Sequence, residues 1–285
     1  MLRHFPKLSK AAMLDFILLA TDRTGYRSLM DSNWPKVETV QLRLPRLPRL
    51  FSGFRAAQIS DIHMGGWMNL DRFQRVADSV IAQRPDVFLI TGDFLMGHSF
   101  TVASRQSLKD LIDVLSPVAS SIPSFAVLGN HDYWTNSAAI REVLRACGIT
   151  DLTNAVFTLT RGGENLHLCG VDDVWKGDVR LGDVIAQLSD KGAAILLAHE
   201  PDFADISAAT GKFDLQVSGH THGGQVVIPF YGAPKLPYLG RKYPSGLYKV
   251  GNMFQYTNRG VGINRLALRF NCPAEITLFE LESVD

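Results

Sequence analysis

Residues 218–225 read Ser-Gly-His-Thr-His-Gly-Gly-Gln and set two imidazoles, His220 and His222, one residue apart between glycines. On a strand, residues two apart share a face. On a glycine-flanked loop at a strand end, both rings can also reach one centre from two directions. The rest of the chain supplies partners at similar places. Asp61 and His63 follow an apolar run, and Asp93 follows Gly92. Asn130, His131 and Asp132 follow Gly129, and His199 precedes Glu200-Pro201. Five of the chain's 8 histidines stand at these sites. Carboxylate, imidazole and amide oxygen without thiolate suit divalent ions such as Mn²⁺, Fe²⁺ or Zn²⁺. The candidates exceed what one ion with roughly four to six ligands can use, so two ions are expected. Asp93, in the middle of the set, can bridge them. Two divalent cations outweigh the Asp61 and Asp93 carboxylates plus a hydroxide, which favours an anionic phosphoryl group. Such an ion pair can hold a phosphate oxygen and lower the pKa of water toward neutrality.

These residues need elements to position them. The segment 54–63 reads as a strand that delivers Asp61 and His63. A helix is expected over 70–83 with Asn69 as its N-cap. A buried parallel strand, 86–91, then ends in Gly92-Asp93. A second helix, 104–116, should stop at Pro117, and a strand over 124–128 leads to Gly129. A helix over 137–146 follows, with Gly148 at its C-cap. Three β-α units therefore finish on polar residues, where ligands bind in open α/β sheets.

Strands dominate the second half. A hairpin is expected over 156–160 and 166–171, then a helix at 179–189 and a strand at 193–198 ending in His199. A short helix, 202–209, precedes the strand 213–217. The segment 229–246, rich in Pro, Gly and Tyr, is irregular by composition. Strands at 247–250, 253–257, 266–269 and 275–281 close the chain. There is no internal repeat, and no linker after residue 50. The expected organisation is a basic N-terminal arm, 1–50, and one α/β catalytic domain, 51–285.

The chain has 285 residues, 46% hydrophobic and 20% charged, with net charge +1. Residues 1–60 hold ten Lys/Arg against four Asp/Glu. The remainder is mildly acidic, so no nucleic-acid partner is expected. Cys147, Cys169 and Cys272 lie far apart without a C-x-x-C pair, which suits core filling in a reducing, cytoplasmic setting. The apolar run 11–20 is interrupted by Asp15 and is too short to span a bilayer. It reads as a helix that docks on the body or touches a membrane. Arg43, Arg46 and Arg49 recur every third residue with leucines and prolines between them. That repeat is either a first edge strand or a basic, apolar edge facing anionic lipid, a peripheral contact on the inner membrane face.

The series Asp61-x-His63, Gly92-Asp93, Gly129-Asn130-His131-Asp132, Ala198-His199-Glu200-Pro201 and Gly219-His220-Thr221-His222 resembles the calcineurin-like metallophosphoesterases, in the family's motif order and over about residues 54–285. The resemblance implies a four-layer α/β/β/α sandwich with two metals at the strand ends. Asp61, His63 and His222 would hold one, Asn130, His199 and His220 the other, and Asp93 would bridge. His131 would approach the phosphate, there to stabilise the transition state or protonate the leaving oxygen, with Asp132 orienting its ring. Many members carry a second Asp where this chain has Met96, which leaves the ligands intact.

The phrases at 58–63, 219–225 and 273–276 look like the bacterial small phosphodiesterases. That branch includes enzymes that hydrolyse UDP-2,3-diacylglucosamine in lipid A synthesis. The expected substrate is a phosphodiester or pyrophosphate, with a lipid-linked nucleotide leading. The alternatives are a general phosphodiesterase or a phosphoprotein phosphatase. A non-catalytic scaffold would have eroded ligands, and here they are intact. His4, His98 and His167 read as surface or structural. Asp172-Asp173 could face the site or form a turn, and Glu200 could fix its loop or touch substrate. Arg241, Lys242, Arg259 and Arg269 read as solvated charges more than as phosphate ligands.

Overall fold

The computed structural model describes residues 35–284, apart from residue 190 and residues 265–267. The expected helix at 11–20 and the start of the expected strand at 266–269 lie outside the described residues.

Among the described residues, twelve strands build two six-stranded sheets. The first contains β1 (Lys36–Leu44), β2 (Phe54–Ile59), β3 (Val87–Thr91), β4 (Ser124–Val127), β5 (Thr150–Asp151) and β12 (Glu275–Ser283). Its order is β1-β12-β2-β3-β4-β5, with β2 to β5 parallel and β12 antiparallel to β2. The second contains β6 (Ala155–Arg161), β7 (Glu164–Gly170), β8 (Ala193–Leu197), β9 (Leu215–Ser218), β10 (Gly246–Val250) and β11 (Met253–Thr257). There β7, β8, β9 and β11 run parallel, and β6 and β10 close the edges antiparallel. Strands buried on both faces read as continuous apolar runs, and β3 (Val-Phe-Leu-Ile-Thr) is buried throughout.

One core lies between the sheets. Phe54, Val87, Leu89 and Phe125 of the first sheet meet Leu168, Ile195, Leu215 and Val217 of the second. Helices α1 (Leu70–Ala82), α2 (Val102–Ser121) and α4 (Ser137–Cys147) accompany the first sheet. Helices α5 (Leu181–Gln187) and α6 (Ala204–Ala209) bury Val184 and Ala204 against Cys169, Val171 and Leu196 of the second. The result is the expected α/β/β/α sandwich.

Local signals explain most boundaries. The Asn69 side chain accepts the Arg72 N–H at 3.0 Å and opens α1, whose Phe73, Val76, Ala77 and Val80 are buried at helical spacing. Gly148 ends α4 with φ 74°, in the left-handed conformation that glycine adopts without steric cost.

Helix α2 departs from expectation by running through Pro117 to Ser121. A mid-helix proline forfeits one hydrogen bond and costs about 3 kcal/mol. The buried stripe Leu111, Val114, Leu115, Val118 spans it, and each such side chain contributes about 1.5–3 kcal/mol. The Ser121 hydroxyl donates to the Pro117 and Val118 carbonyls at 3.2 and 2.9 Å. A six-residue helix, α3 (Asn130–Thr135), was not expected.

The domain boundary also moves. Residues 36–44 form β1, paired in parallel with β12 along its whole length. Leu42, Leu44, Leu47 and Phe51 are buried in the inter-sheet core. Residues 35–51 therefore belong with the rest of the body, which the expected boundary at Phe51 left out. Two arginines of the repeat are paired within the body. Arg43 pairs with Glu282 at 3.1 Å, and Arg46 pairs with Asp214 at 2.9 Å.

Candidate metal centre

The expected residues converge at the carboxyl ends of five strands, each just past its strand. Asp61 and His63 follow β2, and Asp93 follows β3. Asn130 opens α3 after β4, His199 follows β8, and His220 and His222 follow β9. All of them, with His131 and Asp132, are buried. Asp61, His63, Asp93, His220 and His222 adopt positive φ between 51° and 71°. Non-glycine residues visit that region rarely, and such strain concentrates at functional sites.

Close approach explains two glycines. A Cβ on Gly219 would strike the Ser60 hydroxyl and Asp61 Oδ2. One on Gly92, itself at φ 90°, would lie 2.6 Å from the Gly129 nitrogen and 2.8 Å from His199 Nδ1. The strand ends can meet around Asp61 and His199 only where no side chain intervenes.

Donor atoms fall into three overlapping groups, each within 4.8 Å: Asp61, His63 and His222; His63, Asp93 and His131; Asp61, Asp93 and His199. The Nε2 atoms of His63 and His222 lie 3.0 Å apart. Asp61 Oδ1 is 3.2 Å from His222 Nε2, and Asp93 Oδ2 is 3.3 Å from His199 Nε2 and 3.6 Å from His63 Nε2.

Carbonyls fix the other rings. His199 Nδ1–H donates to Thr91 O at 2.6 Å, which leaves Nε2 as the ring nitrogen that faces Asp93. His220 Nε2–H donates to Tyr238 O at 2.7 Å, leaving Nδ1. The His220 backbone N–H donates to Asp61 Oδ2 at 3.0 Å, and its ring packs 5.0 Å from that of His199. The His131 N–H donates to Asp93 Oδ1 at 2.8 Å, which seats Asn130 beside Asp93.

Among the described residues, the buried atoms that make no hydrogen bond include five at this centre: Asp61 Oδ1, His63 Nδ1, Asn130 Oδ1, His199 Nε2 and His222 Nδ1. Buried polar atoms are otherwise nearly always satisfied, and two buried carboxylates demand positive charge. The donor set fits divalent cations. The titration behaviour agrees. Burial, opposed by Asp93, holds His63 down to about 3, so its ring is neutral and able to ligate. Burial would lower His199 too, but Asp93 and Asp61 hold it well above the usual range. The protein thus draws a proton to the place where a cation fits.

The ring of His131 is held by donation from Nδ1–H to Gly97 O at 2.9 Å, which leaves Nε2 available. Asp132, expected to orient that ring, does something else. Its carboxylate accepts backbone N–H groups from Asp93 (2.9 Å), Phe94 (2.8 Å) and Gly129 (3.0 Å). Successive residues on a helix point about 100° apart, so Asp132 turns inward and ties the β3 loop to the start of α3.

His167 is structural, buried between Thr158 and Ser189. His98, read as a surface residue, is exposed but stands at the site's rim, 5.1 Å from the His131 ring and 4.7 Å from Trp134. Glu200 fixes its loop by accepting the Val174 N–H at 3.0 Å. Lys242 pairs with Asp205, and Arg259 with Glu38 and Glu275. Arg269 is buried instead of solvated, and donates to the carbonyls of Arg259, Gly260 and Gly262.

Sequence reasoning did not identify Asn264, whose side-chain nitrogen lies 3.4 Å from His131 Nε2. Gln225 holds it on both sides, accepting its N–H at 2.5 Å and donating to its carbonyl at 3.0 Å. Only the Gln225 that ends the 218–225 stretch pointed to it.

The calcineurin-like phosphoesterase family model matches residues 54–224. The metallophosphoesterase YkuE of Bacillus subtilis (strain 168) is 31% identical over 285 residues, covering 99% of this chain and 98% of its own length. Phosphodiesterase YaeI of Escherichia coli (strain K12) is 31% identical over 263 residues, covering 90% and 92%. The TT1561 crystal structure from Thermus thermophilus shares the fold at TM-score 0.50 and 13% identity, over 74% of this chain and 91% of that one. With its motifs at the strand ends and buried donors that fit divalent cations, the chain belongs to the calcineurin-like phosphoesterases and is a metal-dependent hydrolase of phosphoric esters.

Proposed function

We propose that the chain hydrolyses phosphodiester or pyrophosphate bonds with two divalent ions. Asp61, His63 and His222 would hold one, Asn130, His199 and His220 would hold the other, and Asp93 would serve both. The supporting observation is the convergence of buried donors, five of whose atoms lack any hydrogen-bond partner. Mn²⁺, Fe²⁺ and Zn²⁺ all suit this oxygen and nitrogen set. Bound there, such ions supply positive charge to the phosphoryl oxygens and lower the pKa of water.

The chain's own residues do the rest. Thr91 O and Tyr238 O fix the tautomers of His199 and His220. His131, tied through Nδ1–H to Gly97 O, presents Nε2 to hold a proton for the leaving oxygen. Asp132 keeps the two loops that carry Asp93 and His131 in register.

Within this class the first natural substrate to test is UDP-2,3-diacylglucosamine, as the sequence resemblance suggests. The described part of the arm adds no support for a lipid surface, because Arg43 and Arg46 are paired within the body. No described helix is long and apolar enough to cross a membrane.

The test is hydrolysis of an aryl phosphodiester, an aryl phosphomonoester and UDP-2,3-diacylglucosamine with added Mn²⁺. Diester cleavage well above monoester cleavage is expected. Preference for the monoester would overturn the phosphodiesterase reading in favour of a phosphatase. Cleavage of the lipid-linked nucleotide far above the aryl diester would assign the lipid A reaction.

A further inference from the structure

The segment from Asp172 to Asp178 follows β7 and is tied down more tightly than a crossover loop requires. Three buried carboxylates do this: Asp172, Asp173 and Glu200. Asp172 accepts the N–H groups of Asp173 and Asp178, both at 2.9 Å, and the Tyr133 hydroxyl at 2.6 Å. Asp173 accepts the Lys176 N–H at 2.5 Å, and Glu200 accepts that of Val174 at 3.0 Å. Burying three acids to hold one short loop is costly unless the loop's geometry matters.

The loop presents Trp175 and Lys176. The Trp175 ring, half-buried, meets Trp134 at 5.1 Å, Tyr238 at 5.7 Å and His220 at 6.1 Å, each edge to face. Trp134 in turn lies 4.8 Å from the His131 ring. An aromatic wall thus runs from His131 to His220 along the rim of the metal centre, and Tyr238 at its end is 57% exposed. The exposed Lys176 ammonium stands over it, 5.2 Å from the Trp175 ring and 5.9 Å from Trp134.

We infer that the 172–178 loop is a recognition element for a planar, anionic substrate group of nucleotide chemistry: Trp175 stacks the ring and Lys176 takes phosphate charge. Stacking on a fixed aromatic face tolerates any base, since every base has a π-face. Holding the loop in place beforehand reduces the ordering cost on binding. The inference rests on the proposed phosphodiesterase reading, because the metal centre must take the reacting phosphoryl group.

The experiment uses the full chain loaded with Mn²⁺ and measures calorimetric binding of AMP, ribose 5-phosphate and inorganic phosphate. AMP should bind about tenfold or more tightly than ribose 5-phosphate. Trp175→Ala should abolish that preference and leave ribose 5-phosphate within about twofold of its original affinity, and Trp175→Phe should retain most of the preference. Lys176→Met should weaken AMP and ribose 5-phosphate by the same factor. Equal binding of AMP and ribose 5-phosphate by the unaltered chain would overturn the inference. So would Trp175→Ala weakening all three ligands alike, the mark of a merely structural ring. Binding needs no turnover, so the two proposals fail separately. A chain that prefers AMP through Trp175 yet cleaves no diester would overturn only the proposed function.

Discussion

At the scale of single residues, the proposed function assigns metal-holding and proton-holding to different groups. Asp93 touches both halves, with Oδ2 near His63 and His199 and Oδ1 on the His131 N–H. Asp93→Asn should therefore lose metal and activity together, measured by metal content and diester hydrolysis on one preparation. His131 faces the site through Nε2 while its other nitrogen is tied to Gly97. His131→Ala should keep the metals and lose about 10²–10⁴-fold in rate, as the removal of a general acid does. Loss of metal in that variant would make His131 a ligand. These residues were legible because aspartate and histidine recur at strand ends with glycine beside them. The role of Asp132 was not, since its neighbour in sequence is not its neighbour in direction. Trp175, Asn264 and His98 were equally hidden, because nothing in their local spacing tells that they line the rim.

At the scale of elements, two buried acids hold loops in place. Asp132 accepts N–H groups from two segments with both oxygens. Asp132→Asn turns an amide N–H₂ against backbone N–H donors, and should cost about 2–4 kcal/mol in denaturant unfolding. Asp173 lies against Glu200, and burial with the Glu200 charge pushes its carboxyl up from 3.8 to about 10. A carboxyl whose folded pKa is raised keeps its proton in the folded state. Its contribution is full below the unfolded value near 3.8 and is lost as pH rises toward about 10. The metal-free protein should therefore lose stability from this group as pH rises across that window. Asp173→Asn mimics the protonated form, so it should flatten the fall and exceed the unaltered chain in stability at about pH 9. An unchanged pH slope would contradict this. The strands and helices themselves were largely legible from periodicity and caps. Helix α2 passes Pro117 because its buried stripe outweighs a local breaker. The short α3 was missed because its chemistry-bearing Asn130-His131-Asp132 reads as loop.

At the scale of the whole molecule, the contacts that complete the first sheet join the two ends of the described chain. The alternation over 37–44 signalled a strand. Its partner β12, in register from Lys36↔Glu275 to Leu44↔Ser283, could not be read from periodicity, which carries no information about distant pairing. A chain starting at Pro35 should therefore unfold cooperatively. One starting at Phe51 loses the burial of Leu42, Leu44 and Leu47, at about 1.5–3 kcal/mol each, and exposes the edge of β12. It should be several kcal/mol less stable or aggregate, as denaturant unfolding and light scattering would show. Equal stability of the two forms would return β1 to the status of a dispensable arm.

The central claim is that one set of strand-end residues holds two divalent ions for phosphodiester hydrolysis. Its most direct test is the number of ions per folded chain, measured by native mass spectrometry after Mn²⁺ loading, for the unaltered chain and for Asp93→Asn. Two ions are expected in the first and neither held tightly in the second, with diester hydrolysis following occupancy. A single ion in the unaltered chain, or two retained after Asp93→Asn, would contradict the bridged pair and leave Asp93 with another role.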